Sequence, residues 1–262
     1  DTKYYYEATM GDRRGGVVNR SGDFHTLSSP ETVRDPETNP DGLFNFRFEF
    51  ATGNNQSGRP ALPTFQTMLR ELIRDGLAAA GVKLSDILVT ERYRDDFMAA
   101  GYDLILPDGV HWECCSASFD LAQLEIDGQM RGERRQKNVA GYDRDVFREL
   151  PFCQPPAIHD PEDDRRFRSH LSKVVTQKAD KVISIPVLKD HRSAGVTLAL
   201  KNMSHGFHNN VARSHVGNGF PMRLNHCQTF IPAVCSLPPM REKCVLQILD
   251  GLVGTYEGGP GS

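Results

Sequence analysis

The chain has 262 residues, 39% of them hydrophobic and 25% charged, with a formal net charge of -3. That length supplies a sizeable core for one large or two small domains. The charge balance argues against a general nucleic-acid binder, which carries a basic excess. No run approaches the roughly 18 apolar residues that a membrane span requires.

Taken in chain order, residues 1–60 are rich in Gly, Asp, Asn, Arg and Pro, and the turn-dense RDPETNPDG (34–42) sits within them. They read as an irregular polar arm. One strand is expected inside it, where Phe44, Phe46, Phe48 and Phe50 alternate with polar residues. Residues 61–262 read as a single α/β domain. It opens on a helix with Thr64 as N-cap, an apolar stripe of Phe65, Met68, Leu69, Leu72, Ile73 and Leu77, and Gly81 at the C-terminal cap. DILVTERY then predicts a short strand running out at Glu91 and Arg92.

The charged stretch 127–149 reads as a solvated loop or helix face. HLSKVVTQKAD (170–180) suits a helix, Val182–Leu188 a buried strand, and CVLQILD (244–250) another strand ending in Asp250. Helices alternating with short apolar strands predict an α/β fold, with a mostly parallel or mixed sheet covered by helices on both faces.

In such sheets ligands bind beyond the carboxyl ends of the strands, where the loops converge. Three groups qualify: Glu91–Arg92, Lys189–Asp190–His191, and Asp250–Gly251. A second apolar run, Val196–Leu200, also ends in a cation, Lys201, followed by Asn202. Two lysines so placed suit a phosphate or carboxylate, and a desolvated lysine can act as a base. The expectation is one pocket. Lys189 clamps an anion and His191 carries a proton or ligates a metal. Lys201 adds charge, Asn202 orients the ligand, and Asp190 points away. A strand end that merely exits into water is the plain alternative.

Metal ligation is a further expectation, with His191, His205 and His208 as ligands. His205 and His208 share a helix face if the helix survives Gly206. His215, His226 and Cys227 lie within the same 40 residues.

Six cysteines (114, 115, 153, 227, 235 and 244) fit either disulfides in an exported protein or buried small apolar residues. They show no CxxC and no CxxCxxCxxxC, which argues against a ferredoxin-type cluster in this chain. Sequons at Asn19, Asn55 and Asn202 are too short to weigh. The first residue is Asp1, and the last stretch, EGGPGS, reads as a loop leading onward, so further residues are expected at the C-terminal end and a processed or partial N-terminus at the other. These features favour a periplasmic or extracellular location.

ADKVISIPVLKDHRSAGVTLALKNMSHG (179–206) resembles the signature of the domain-of-unknown-function family 362. The matching residues are Asp180, Pro186, Leu188, Lys189, His191, Gly195–Leu198, Leu200–Asn202 and Gly206. QILDGLVGTYEGGPG (247–261) is similar to the family's later Asp-Gly segment. More loosely, AAAGVKLSDILVTER (78–92) is similar to its earlier helix–strand step. The resemblance implies an α/β fold and little about activity. Some family members carry ferredoxin-type modules or twin-arginine export signals, which leaves a redox-related role open. Asp250 and the loop Gly258–Gly259–Pro260–Gly261 would close the pocket, the loop through backbone N–H groups.

Two functions follow: an enzyme or binding protein for a small anionic ligand, or an exported assembly protein whose arm (1–60) wraps a neighbouring subunit in a homo-oligomer. Substrate, reaction and metal are not specified by these residues.

Overall fold

A computed structural model describes residues 3–11, 17–25, 69–119, 136–153, 159–215 and 224–255. The chain divides into two compact units, Asp1–Phe48 and Glu49–Ser262. In the first, β1 (Lys3–Gly11) and β2 (Val17–His25) pair antiparallel in register from Lys3–His25 to Gly11–Val17. Part of the stretch read as irregular is therefore a hairpin. The Phe44–Phe50 strand, Thr64, Phe65, Met68 and the Gly258–Gly261 loop lie outside the described residues.

The second unit is α/β, with parallel and antiparallel pairs divided among small sheets rather than gathered into one. Its first described helix ends in a π-helical segment, Leu72–Ala78, and Gly81 follows at φ +90°. That is a left-handed conformation which glycine adopts without a Cβ clash. Leu69 and Ile73 on this helix pack with Ile87, so the predicted apolar stripe is a buried seam. β3 (Leu88–Val89) pairs parallel with β4 (His111–Trp112), and α1 (Arg94–Ala99) lies between them in sequence.

The charged stretch resolves differently from expectation. Tyr142–Glu149 is a strand, β5, antiparallel to β6 (Arg168–Ser172). Tyr142 and Asp143 are buried at its start, while Arg144 and Asp145 are exposed. The predicted helix at 170–180 is likewise half strand: β6 occupies its beginning, and only Val174–Lys178 turns, as a π-helical segment. The β-branched pair Val174–Val175 is buried in the main core with Tyr142, Leu171, Met203 and Phe207. Burying each such side chain stabilises by about 1.5–3 kcal/mol.

The predicted strand at 182–188 is broken. β7 (Val182–Ser184) pairs parallel with β10 (Cys244–Gln247), and β8 (Val187–His191) pairs parallel with β11 (Asp250–Thr255). The break falls at Ile185–Pro186, where proline has no N–H to give a ladder. Its partner breaks at the same level, where the Ile248 N–H donates to Ser184 O at 2.9 Å. Asp250 therefore begins a strand, opposite Val187, instead of ending one.

β9 (Gly195–Thr197) folds back antiparallel on β8. The second apolar run thus splits into a short strand and the start of α2 (Ala199–Phe207), and Lys201 and Asn202 ride that helix rather than a strand end. Gly206 is tolerated inside it. α3 (Cys227–Cys235) packs along α2, and α4 (Pro238–Lys243) leads into β10.

None of the six cysteines forms a disulfide; Cys114, Cys115, Cys153 and Cys227 are fully buried. Burial pushes the Cys115 thiol up to about 12 and Cys244 to about 11, so both are protonated, inert packing groups at neutral pH.

Candidate functional site: a cationic group beside a His–His–Cys trio

Strand alternation sets the orientation of the residues on β8. Lys189 and His191 are two apart and share a face, with Asp190 on the other. Asp190 pairs with Val196 on β9. Burial lowers the Lys189 ammonium, and the Glu91 charge opposes that shift. Burial also lowers His191, to about 4, and Lys201 and Lys189 push it the same way.

Glu91 and Arg92 are held just beyond β3 by backbone bonds. The Cys115 N–H donates to Glu91 O at 3.2 Å, and the Ser116 N–H donates to Arg92 O at 2.8 Å. The Glu91 carboxylate accepts the Arg92 N–H at 2.7 Å. Part of Glu91 reaches solvent, yet desolvation is the largest influence on its carboxyl and raises it, with Asp96 adding. Arg92 and Lys189 oppose that rise.

Lys201 on α2 completes the group. Its ammonium is lowered to about 7, first by desolvation and then by Arg92 and Lys189, with Cys227 opposing. Three cations from three separate segments are therefore close enough to feel one another's charge, and Glu91 is set among them.

Asn202, one residue on, donates from Nδ2 to Ser184 Oγ at 3.0 Å, which ties α2 to β7. Asp250 lies at the start of β11, away from the strand end expected of it.

The histidines separate into two groups. His208 donates Nδ1–H to Ser204 O at 2.8 Å, and its buried Nε2 has no partner; after burial, Arg92 and His170 lower its pKa further. His205, by contrast, lies with His215 and Cys227, with one ligand atom from each within 4.8 Å of the others. His191 borders this trio, its Nε2 3.2 Å from His215 Nε2.

The chain's local structure explains the trio. His205 is on the α2 face that packs on α3, against the Phe230 ring at 5.4 Å. Cys227 is the first residue of α3. Asn225 fixes that start by accepting the Cys227 N–H at 3.1 Å and donating to Ser193 O at 2.6 Å, in the β8–β9 turn. His215 follows the helical turn Ala212–Ser214, and the His226 N–H donates to Ser214 O at 3.0 Å. Asn225 and His226 thus pin both His191 and His215 to the start of α3.

Residues 151–262 match the family model described as a domain of unknown function, DUF362. The match is confined to that segment, which is less than half of the chain. No curated protein and no solved structure matches the chain. Lys189, His191, Lys201, His205, His215 and Cys227 all fall inside the DUF362 segment, as does the resemblance at 179–206. Glu91 and Arg92 precede it, so the charged group draws on residues outside the matched segment as well as within it. The looser resemblance at 78–92 also lies outside the matched residues.

The sequence places His215 and Cys227 in the histidine-rich stretch open to metal binding, but the ligands it singles out are His191, His205 and His208; the structure brings His215 and Cys227 to His205. His215 is 10 residues from His205 and Cys227 a further 12 along, spacings that follow no local periodicity. The only signal was the histidine density between 191 and 226.

Proposed function

We propose that this chain binds an anionic small molecule, phosphate- or carboxylate-bearing, in the crevice formed by Arg92, Lys189 and Lys201. The observation that carries this reading is the convergence of three mutually repelling cations, two of them lysines whose charge burial already disfavours. Clustering partly desolvated like charges costs free energy, and a bound anion offsets that cost.

Lys189 and Lys201 clamp the ligand, and Arg92 supplies a planar donor fork suited to oxyanions. Lys201, near 7, is also able to exchange a proton with what it binds. Asn202 orients the helix through Ser184, and Gly258 and Gly259 remain the proposed closing loop. A redox-related role is compatible with this arrangement and is not required by it.

Calorimetric titration with inorganic phosphate and with citrate tests the reading. Lys189→Met and Lys201→Met are each expected to weaken binding at least about tenfold, the loss of one charge-assisted contact. Binding to wild type should also weaken as pH rises from 6 to 8, because Lys201 loses its proton there. Unchanged affinity in both variants sinks the proposal.

A further inference from the structure

We infer that His205, His215 and Cys227 bind a single zinc-class divalent ion, with one coordination position left for an exogenous ligand. The inference is independent of the anion proposal, because its ligands are different side chains.

The donor set comes first. Two imidazoles and a thiol from three segments bring ligand atoms within 4.8 Å of one another. Around a tetrahedral zinc ion, ligands at 2.0–2.3 Å stand about 3.3–3.6 Å apart. A closure of roughly 1 Å by side-chain rotation therefore completes the site. His205 and Cys227 are buried, while His215 is half-buried and gives a way in. Nitrogen and sulfur together select a borderline-soft ion over magnesium or calcium.

The tautomers come second, and hydrogen bonds around the trio assign them. The Ser204 hydroxyl donates to Lys201 O at 2.9 Å, so its oxygen accepts the His205 Nδ1–H at 2.7 Å. His205 therefore presents its Nε2 lone pair to the trio. His191 Nδ1 accepts two backbone N–H groups, from Ser193 at 3.1 Å and Ala194 at 3.0 Å. Its proton must then be on Nε2, and it donates to His215 Nε2 at 3.2 Å. His215 accordingly keeps its own proton on Nδ1, directed at Val211 O at 3.3 Å.

Both histidines of the trio thus hold Nδ1–H against an oxygen and turn Nε2 inward. Metal-ligating histidines are oriented in the same manner by their outer partners. Without an ion, the Ser214 hydroxyl covers His205 Nε2 at 3.0 Å, although the same hydroxyl is also 2.7 Å from Val211 O and can donate to only one of them. Cys227 Sγ has a long contact, 3.8 Å, to that hydroxyl. An ion replaces these weak bonds with three coordination bonds, and the Cys227 thiol releases its proton to solvent as it becomes the thiolate ligand. The ion also frees His191 Nε2–H, which becomes a donor to whatever fills the fourth position. On this arrangement His191 is a positioning residue beside the metal instead of a ligand, and His208 belongs to a separate environment.

Chelator-stripped full chain titrated with Co²⁺ tests the inference. The expected result is one ion per chain and a thiolate-to-cobalt charge-transfer band in the near ultraviolet, both displaced by Zn²⁺. Cys227→Ser should abolish the band, and Ser204→Ala should weaken affinity about 10–100-fold by freeing the His205 ring. His208→Asn should leave stoichiometry and band unchanged. Lack of stoichiometric binding by protein that is folded by circular dichroism overturns the inference, as does a band that survives Cys227→Ser. If that variant does not fold, His215→Gln decides: cobalt affinity at least tenfold weaker supports the site, and unchanged affinity overturns it. Phosphate binding is measured on the same stripped protein, so the two proposals fail separately.

Discussion

Replacing Arg213 by methionine is expected to cost about 3–5 kcal/mol of folding stability, read as a lower denaturation midpoint at constant slope. Arg213 has no exposed surface. Its guanidinium donates from Nε to Asn210 O at 3.1 Å, from Nη1 to Leu150 O at 2.9 Å, and from Nη2 to Ser169 Oγ at 2.9 Å. It lies 5.9 Å from the Phe230 ring centroid. Methionine keeps most of the volume and none of the donors, so buried carbonyls lose charge-assisted partners that water cannot replace. Lysine keeps the charge but cannot reproduce the fork, and Arg213→Lys should recover only part of the loss. A change under about 1 kcal/mol for the methionine variant would show that these carbonyls find other donors. The effect should extend beyond stability. Arg213 connects the β5 exit, β6 and the turn that carries Ser214 and His215, so its loss should loosen the trio as well.

How much of this was legible in the sequence follows from the range of each signal. Strand alternation is local, so the expectation that Lys189 and His191 share one face with Asp190 opposite follows from the residues alone, given that they lie on one strand. Glu91–Arg92 was recognised as a strand exit because the apolar run stops there. Pro186 was visible, yet the run around it was apolar enough to hide the break between β7 and β8. The same smoothing carried CVLQILD through to Asp250 as one strand, when its ladder partner breaks at the same level. Strand β6 was taken for helix because Leu171, Val174 and Val175 satisfy both periods in so short a window. His215 and Cys227 reach His205 only through the packing of α3 on α2 and the tether at Asn225, which is tertiary information. Asn202 was adjacent to Lys201 in sequence, and a helix turns neighbours apart: its amide bonds to Ser184 on β7.

The second large effect is loss of stability in acid, with His208 as its clearest contributor. His208 is fully buried, burial lowers its pKa to about 3, and its Nε2 has no partner to share a proton. In the unfolded chain the same ring titrates near 6.5. Between those values the unfolded state holds one more proton than the folded state, so stability is complete above about 6.5 and declines as pH falls, by about 1.4 kcal/mol per pH unit for this residue. Over the whole window that amounts to a few kcal/mol, a large share of a domain's usual margin. His170, His191, His205 and His215 are shifted in the same direction, chiefly by burial, and steepen the slope. Glu91, whose carboxyl is raised, gains stability as pH falls and so works against that decline. Denaturant unfolding measured from pH 7.5 to 4.5 should therefore show a steady fall beginning just below 6.5. His208→Asn, which retains an N–H donor near the position of Nδ1, removes the titration, and its slope should be shallower by about one proton whatever its stability at pH 7.5. An unchanged slope would mean that the proton is taken up elsewhere, with His170 as the next residue to replace.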